Sequence, residues 1–279
     1  MKKNKINWLD QPSLDYLSLS IQAKKSSMTI ESKPDVYSLI QRYIFEYFKI
    51  KHEDRLKSFW KEIYEKHGVN LLLENSRIVL NFKGEYLFSK KSYYKILYFV
   101  RHLKVFFVEW HIKRIDIKKH FAGEQPEVLF KDIQKGYWIK SSGKDSYYQP
   151  SLITKKADFK STACYFKSEH FTMTVYNKSQ QIKDIRAKIK TIKKESSQKY
   201  YSNLIRQFEF HTKPMSDLSI QRAEVRLINK PECENATSFL KANLTEELFI
   251  TKIVEAFHKK HPLINDKKTE SLIYKSFFI

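Results

Sequence analysis

Three carboxylates interrupt stretches whose neighbours favour β-strands: Asp116 in Arg114-Ile-Asp-Ile-Lys118, Glu209 in Arg206-Gln-Phe-Glu-Phe210, and Glu224 in Arg222-Ala-Glu-Val-Arg-Leu227. An acid in a strand has β-propensity against it. Two of the three have basic residues two positions away, Arg114 and Lys118 around Asp116 and Arg222 and Arg226 around Glu224. Strand alternation puts such neighbours on one face. A row of this kind suits a site where carboxylates hold Mg2+ or Mn2+ and arginines hold phosphate oxygens. The other outcome is a solvated strand face laced with ion pairs.

Tyrosine is the second chemical resource. Tyr147, Tyr148, Tyr165, Tyr176, Tyr200 and Tyr201 lie among Lys and Arg, in a chain with 17 Tyr and 20 Phe. Exposed aromatics in a basic groove stack on single-stranded bases. A tyrosine also acts as a nucleophile where a base or a metal eases the loss of its proton. Most of the 17 must serve the core.

Other chemistries lack their residues. There is no GxxxxGK[ST] or GxGxxG loop, no GxSxG elbow and no HExxH pair, and no two of the nine His are separated by a single residue. Cys164 and Cys233 are too few for a disulfide framework or a zinc cluster. The formal net charge of +21, from 52 Lys+Arg against 31 Asp+Glu, points to a polyanionic partner. No apolar run approaches a membrane span, and no apolar segment follows Lys2, Lys3 and Lys5, so no membrane partner and a cytoplasmic location are expected.

The elements that must position these residues read as follows. Strands are expected over Asp15–Ile21, Val69–Leu73, Arg77–Phe82, Val105–Lys118, Ala163–Lys167, Phe171–Tyr176, Leu204–His211 and Gln221–Ile228. Helices are expected over Pro34–Phe48, over Glu53–His67 with Gly68 as C-cap, from Ser89 to Leu103 with Tyr94, Leu97, Tyr98 and Val100 toward a core, and over Pro126–Lys135. A strongly basic helix spans Ser179–Tyr201, and two more lie at Glu232–Leu240 and Thr245–Lys259. Ser141–Lys160 is polar and reads as a mobile loop, and the chain ends in an apolar Ile273–Ile279. Strands and helices do not alternate steadily, which predicts an α+β fold with largely antiparallel sheets and flanking helices.

The order of five segments carries a resemblance. Asp15-Tyr-Leu-Ser-Leu-Ser, Leu80-Asn-Phe-Lys-Gly-Glu-Tyr, Arg114-Ile-Asp-Ile, Thr162-Ala-Cys-Tyr-Phe-Lys-Ser with Phe171-Thr-Met-Thr-Val-Tyr-Asn-Lys, and Arg222-Ala-Glu-Val-Arg-Leu resemble, in that order, segments of the replication initiation factor family. These are rolling-circle initiators of plasmids and integrative elements. The resemblance covers about residues 14–228. It implies an initiator- or relaxase-like nicking and DNA-binding domain over 1–231, followed by a helical extension over 232–279. In the family a tyrosine attacks a DNA phosphodiester beside a divalent metal, becomes a 5′-phosphotyrosine and leaves a 3′-hydroxyl.

Tyr165 matches that nucleophile. Phe166-Lys-Ser-Glu-His170 replaces the Gly-Ser-Arg-type turn that usually follows it, so Tyr176 and the Tyr147-Tyr148 pair stay candidates. Asp116 with Glu209 or Glu224 would hold Mg2+ or Mn2+. Arg114, Lys118, Lys167, Lys178, Arg222 and Arg226 would contact DNA. The implied partners are origin DNA, single-stranded or cruciform, a host helicase and a second copy of the chain. A sequence-specific DNA-binding protein that does not cut is the alternative.

Overall fold

The structure, a computed structural model, describes residues 7–8, 11–23, 33–56, 62–74, 77–87, 89–106, 108–122, 138–140, 147–148, 151–154, 161–167, 171–193, 195–212, 220–228, 230–261 and 263–264. In chain order the elements are β1 (Asn7–Trp8), β2 (Ser13–Ala23), α1 (Lys33–Phe48), β3 (Arg55–Leu56), β4 (Glu62–Lys66), β5 (Val69–Glu74), β6 (Arg77–Lys83), α2 (Gly84–Leu87), α3 (Lys90–His102), β7 (Val108–Ala122), β8 (Trp138–Lys140) and β9 (Tyr147–Tyr148). They continue as β10 (Ser151–Thr154), β11 (Ser161–Lys167), β12 (Phe171–Asn177), α4 (Lys178–Ile189), α5 (Glu195–Thr212), β13 (Ile220–Leu227), α6 (Lys230–Lys241), α7 (Glu246–Lys260) and β14 (Leu263–Ile264). Every pairing whose register is described is antiparallel, so the α+β class with antiparallel sheets holds.

The chain forms two compact units from interleaved stretches. The first unit takes Met1–Ser13, Ile117–Arg226 and Val254–Ile279, and the second takes Leu14–Asp116 and Leu227–Ile253.

In the second unit the strands run β7-β2-β6-β5-β4-β3. Leu19 pairs with Leu80, Leu80 with Leu71, and Leu71 with Tyr64, and all four side chains are buried. This apolar row is what strand alternation on one covered face produces. The cover is aromatic: Phe48 of α1 meets Phe82 of β6 at 5.4 Å and Phe99 of α3 at 5.1 Å between ring centroids. Tyr93 of α3 packs on Phe249 of α7 at 5.6 Å and donates its hydroxyl to the Leu244 carbonyl at 3.0 Å.

The helix expected over Glu53–His67 is not formed in the described part. Glu62–Lys66 is β4, joined to β5 by a turn at His67 and Gly68, whose φ values are 45° and 77°. Two positive φ values in a two-residue connection match the twist of paired strands, so Gly68 closes a hairpin rather than capping a helix.

In the first unit the strands run β10-β11-β12-β13-β7, with β1 pairing the end of β7. β12 alternates: Phe171, Met173 and Val175 are fully buried, while Thr172, Thr174 and Tyr176 take the other face. Phe171 packs on Phe257 of α7 at 4.9 Å. The β11–β12 hairpin expected at Ala163–Tyr176 is present, with Lys167 opposite Thr172 and Tyr165 opposite Thr174.

Three further expectations change here. Leu204–His211 is helical, inside α5, because Tyr201, Leu204, Ile205 and Phe208 recur at three- and four-residue spacing once the stretch from Glu195 is read with them. The single basic helix is split into α4 and α5. The polar segment 141–160 contains β9 and β10, with β8, β9 and β14 forming a small separate sheet. Pro126–Lys135 and Ile273–Ile279 lie outside the described residues. Among the described residues, no helix is long and apolar enough to cross a membrane.

The β4–β5 turn gives a direct test. A β-carbon on Gly68 would stand 2.8 Å from the Tyr86 backbone nitrogen, at a φ that side chains resist. Gly68→Ala should therefore lower the unfolding free energy by roughly 1–3 kcal/mol in urea titration. A midpoint equal to the parent chain's would overturn this account of the turn.

Candidate functional site

In the first unit three expected site residues come together. β13 presents Arg222 and Glu224 two residues apart, and the Arg222 Nη1 lies 3.2 Å from Glu224 Oε1. Tyr176, at the end of β12, donates its hydroxyl to the same Oε1 at 2.7 Å and accepts from Arg222 Nη1 at 3.3 Å. Side-chain exposure is 9% for Arg222 and 20% for Glu224, so the pair is largely out of water. Both described contacts of Glu224 fall on Oε1; among the described residues nothing bonds its Oε2.

Local sequence explains the placement of Tyr176. Asn177 ends the strand and caps α4, its Oδ1 accepting from the Gln180 amide at 2.8 Å. Lys178 opens the helix, donates to Gln181 Oε1 at 2.6 Å, and holds its ammonium 5.7 Å from the centre of the Tyr176 ring. Ser179 Oγ accepts from the Ile220 amide at 2.9 Å, which ties the start of β13 to the start of α4. Strand end, helix start and neighbouring strand are thus locked around the phenol.

Burial pushes the Tyr176 phenol well above its ordinary pKa; Arg222 opposes that shift, while the Glu224 charge and hydrogen bond add to it. The phenol is protonated at neutral pH, and its one proton is committed to Glu224. A carboxylate in hydrogen-bond reach of a phenol has the geometry of a base–hydroxyl pair. The raised pKa makes this phenol a reluctant nucleophile and a good clamp on the carboxylate.

The other expected metal ligands sit elsewhere. Asp116 lies in the second unit, where Arg114 binds both its oxygens, Nε to Oδ1 at 2.8 Å and Nη2 to Oδ2 at 2.5 Å. The same guanidinium stacks 4.2 Å above the Tyr16 ring. Glu209 is on helix α5, not on a strand, and is exposed and paired with Arg186 of α4. Among the described residues, no three His, Cys, Asp or Glu side chains gather as a metal cluster.

Lys118 lies on β7 and Arg226 on β13, both half-buried. Tyr165 and Lys167 are placed by backbone register alone, opposite Thr174 and Thr172. Tyr147 and Tyr148 form β9, paired with Lys140 and Ile139. Lys119 and His120 of β7 are also buried in the first unit, and neither is among the expected site residues. Nothing in the local sequence marks Lys119 and His120 for burial; their place in the sheet decides it.

No protein family matches the sequence, and no curated protein does. Among solved structures the chain is similar to a rolling circle replication initiator protein from Geobacillus stearothermophilus, with a TM-score of 0.54 and 11% identity over 96% of this chain and 95% of that one. At that identity the likeness is one of fold.

The Tyr176 clamp is testable by substitution. Tyr176→Phe removes two hydrogen bonds but leaves Arg222 facing Glu224, so the cost should be about 1 kcal/mol in urea titration. The raised pKa means the folded state holds this proton more tightly than the unfolded state. Its contribution is therefore present below the ordinary tyrosine range near about 10 and declines as pH rises beyond it. Tyrosinate absorbance of the folded parent and variant should coincide up to about pH 11; a missing tyrosine titration in the variant would overturn the buried, protonated assignment.

Proposed function

We propose that this chain initiates rolling-circle DNA replication by nicking one strand with a tyrosine beside a divalent metal. The observation that carries the proposal is the Tyr176–Glu224–Arg222 cluster. It sets a carboxylate with an oxygen to spare beside a guanidinium, on the strand next to the tyrosine hairpin. The fold likeness to a rolling circle initiator supports the same reading.

Tyr165 is the proposed nucleophile and Tyr176 a positioning residue. Tyr176 already spends its proton on Glu224 and is held protonated by burial. Tyr165 lies on the adjoining strand, opposite Thr174, two residues from Tyr176. In the reaction the attacking phenol gives up its proton, its oxygen bonds to phosphorus, and the bond from phosphorus to the 3′-oxygen breaks. The products are a 5′-phosphotyrosine and, once the leaving oxygen takes a proton, a 3′-hydroxyl. Arg222 offsets charge that gathers on the phosphoryl oxygens.

Mg2+ and Mn2+ take one or two carboxylates together with water and substrate phosphate oxygens. Glu224 fits that demand through Oε2, and bound metal would polarise the phosphate and steady the leaving oxygen. The pairing of both Asp116 oxygens with Arg114 favours a second reading, a protein that grips origin DNA without cutting it.

The two readings separate on supercoiled plasmid carrying the protein's own locus, with Mg2+ or Mn2+. The expected result is protein covalently attached to a 5′ end, abolished by Tyr165→Phe. Tyr176→Phe should retain attachment at a rate lowered roughly 10–100-fold, and Glu224→Gln should raise the Mn2+ concentration needed for half-maximal rate. Attachment lost in Tyr176→Phe and intact in Tyr165→Phe would reverse the two tyrosines' roles. No attachment by the parent chain with either metal would leave only binding.

A further inference from the structure

The second unit has a basic surface that plays no part in the proposed nicking chemistry. Helix α3 turns an aromatic, cationic face outward: Tyr94 and Tyr98, one turn apart, are 51% and 53% exposed, and Lys91 and Lys95 are exposed beside them. Tyr98 also meets His102 at 4.1 Å and Tyr47 at 6.5 Å between ring centroids, and Tyr94 and Tyr98 both still leave half their surface to solvent. At the C-terminal end of α3 that face runs into a cleft of about 970 Å³ between α3, β7 and α6. Arg101 and Lys104 stand on one side of it, Lys113 and Lys241 on the others.

None of these four cations has an ion-pair partner among the described residues, and Lys241 lies 5.3 Å from the centre of the Trp110 ring. Against them the cleft sets two acids, Glu109 and Glu234, which leaves a positive balance. The cations act on their surroundings. Burial first, then Arg77, Lys113 and Lys241, hold His111 below its ordinary pKa, so that ring is neutral and free to hydrogen-bond. The inner wall is apolar, formed by Val108, Trp110 and Ile112.

We infer that the outer face of α3 and the cleft at its end form a binding track for single-stranded DNA, in which bases stack on Tyr94 and Tyr98 and the cleft cations hold phosphates. Flat aromatic faces interleaved with unpaired cations fit a strand whose bases are unstacked from a partner. The phosphates of a duplex lie on a convex surface and do not enter a cleft with an apolar wall. A free phosphate ion would leave the tyrosines and that wall unused. The choice of DNA rests on the nicking proposal; the stacking and phosphate contacts stand independently of it.

The test uses the full chain in EDTA, so that no strand is cut, with a fluorescent oligothymidylate followed by anisotropy over a range of salt. Tyr94→Ala/Tyr98→Ala should weaken binding about tenfold or more while leaving the salt slope unchanged, since stacking releases no counterions. Lys104→Glu/Lys113→Glu should weaken binding and reduce the slope of log affinity against log salt by roughly 1–2. A charge-matched pair on α7, Lys252→Glu/Lys259→Glu, should have much less effect. The track is overturned if that control weakens binding as much as the cleft pair, if the tyrosine pair binds like the parent, or if polyglutamate of equal charge displaces the oligonucleotide. Binding through the track without covalent attachment to plasmid would sink the nicking proposal alone. Attachment with no loss in either track variant would sink this one alone.

Discussion

A buried guanidinium is the constraint around which the first unit's site is arranged. Arg222 enters the sheet with 9% of its side chain exposed. A charge withdrawn from water costs several kcal/mol unless partners replace its hydration. Glu224, two residues along the same strand, supplies the counter-charge, and the Tyr176 hydroxyl supplies a further oxygen. Satisfying Arg222 therefore fixes β12 beside β13 at this level and draws the phenol inward. The Asn177 cap and the Ser179 bond to Ile220 then hold the strand-to-helix corner that follows.

The acids singled out by sequence share one structural habit. Asp116 pairs with Arg114, Glu224 with Arg222, and Glu209 with Arg186. Flanking arginines are thus the acids' own partners in two cases, and a neighbouring helix provides the third. What distinguishes Glu224 is not the ion pair but the phenol added to it and the oxygen left over. Asp116 has its two oxygens spanned by one guanidinium, which is in turn stacked on Tyr16, and Glu209 sits on an exposed helix face where such a pair is worth little. The same residue types at similar spacing therefore arrive at three different electrostatic situations.

Alternation made the β-hairpins legible. Phe171, Met173 and Val175 against Thr172, Thr174 and Tyr176 is a two-residue period, and the structure buries one set and not the other. In β2 the apolar set Leu17, Leu19 and Ile21 is likewise fully buried, but Ser18 and Ser20 between them are buried as well, so this strand is covered on both faces. Length defeated the reading of Glu62–Lys66 and Leu204–His211. A five-residue strand with one buried side chain, Tyr64, leaves little period to detect. The second stretch looks alternating only when cut from the helix that contains it. Tyr94 and Tyr98, expected to turn toward a core with Leu97 and Val100, instead face solvent while Leu97 and Val100 are buried; tyrosine in a helix serves a core or a surface equally well, and only packing decides which.

The amino-acid sequence by itself determined that the chain is strongly basic, that it folds with alternating strands and amphipathic helices, and that acids with arginine neighbours lie on two of those strands. These are properties of composition and of periods two and 3.6, which local chain geometry enforces. Tertiary structure alone decided which acid meets a tyrosine, because that depends on β12 lying against β13, strands separated in sequence by two helices. It also decided that Asp116 turns to Arg114 and that Tyr94 and Tyr98 face solvent. Such outcomes follow from which surfaces cover one another, and no short-range pattern encodes that.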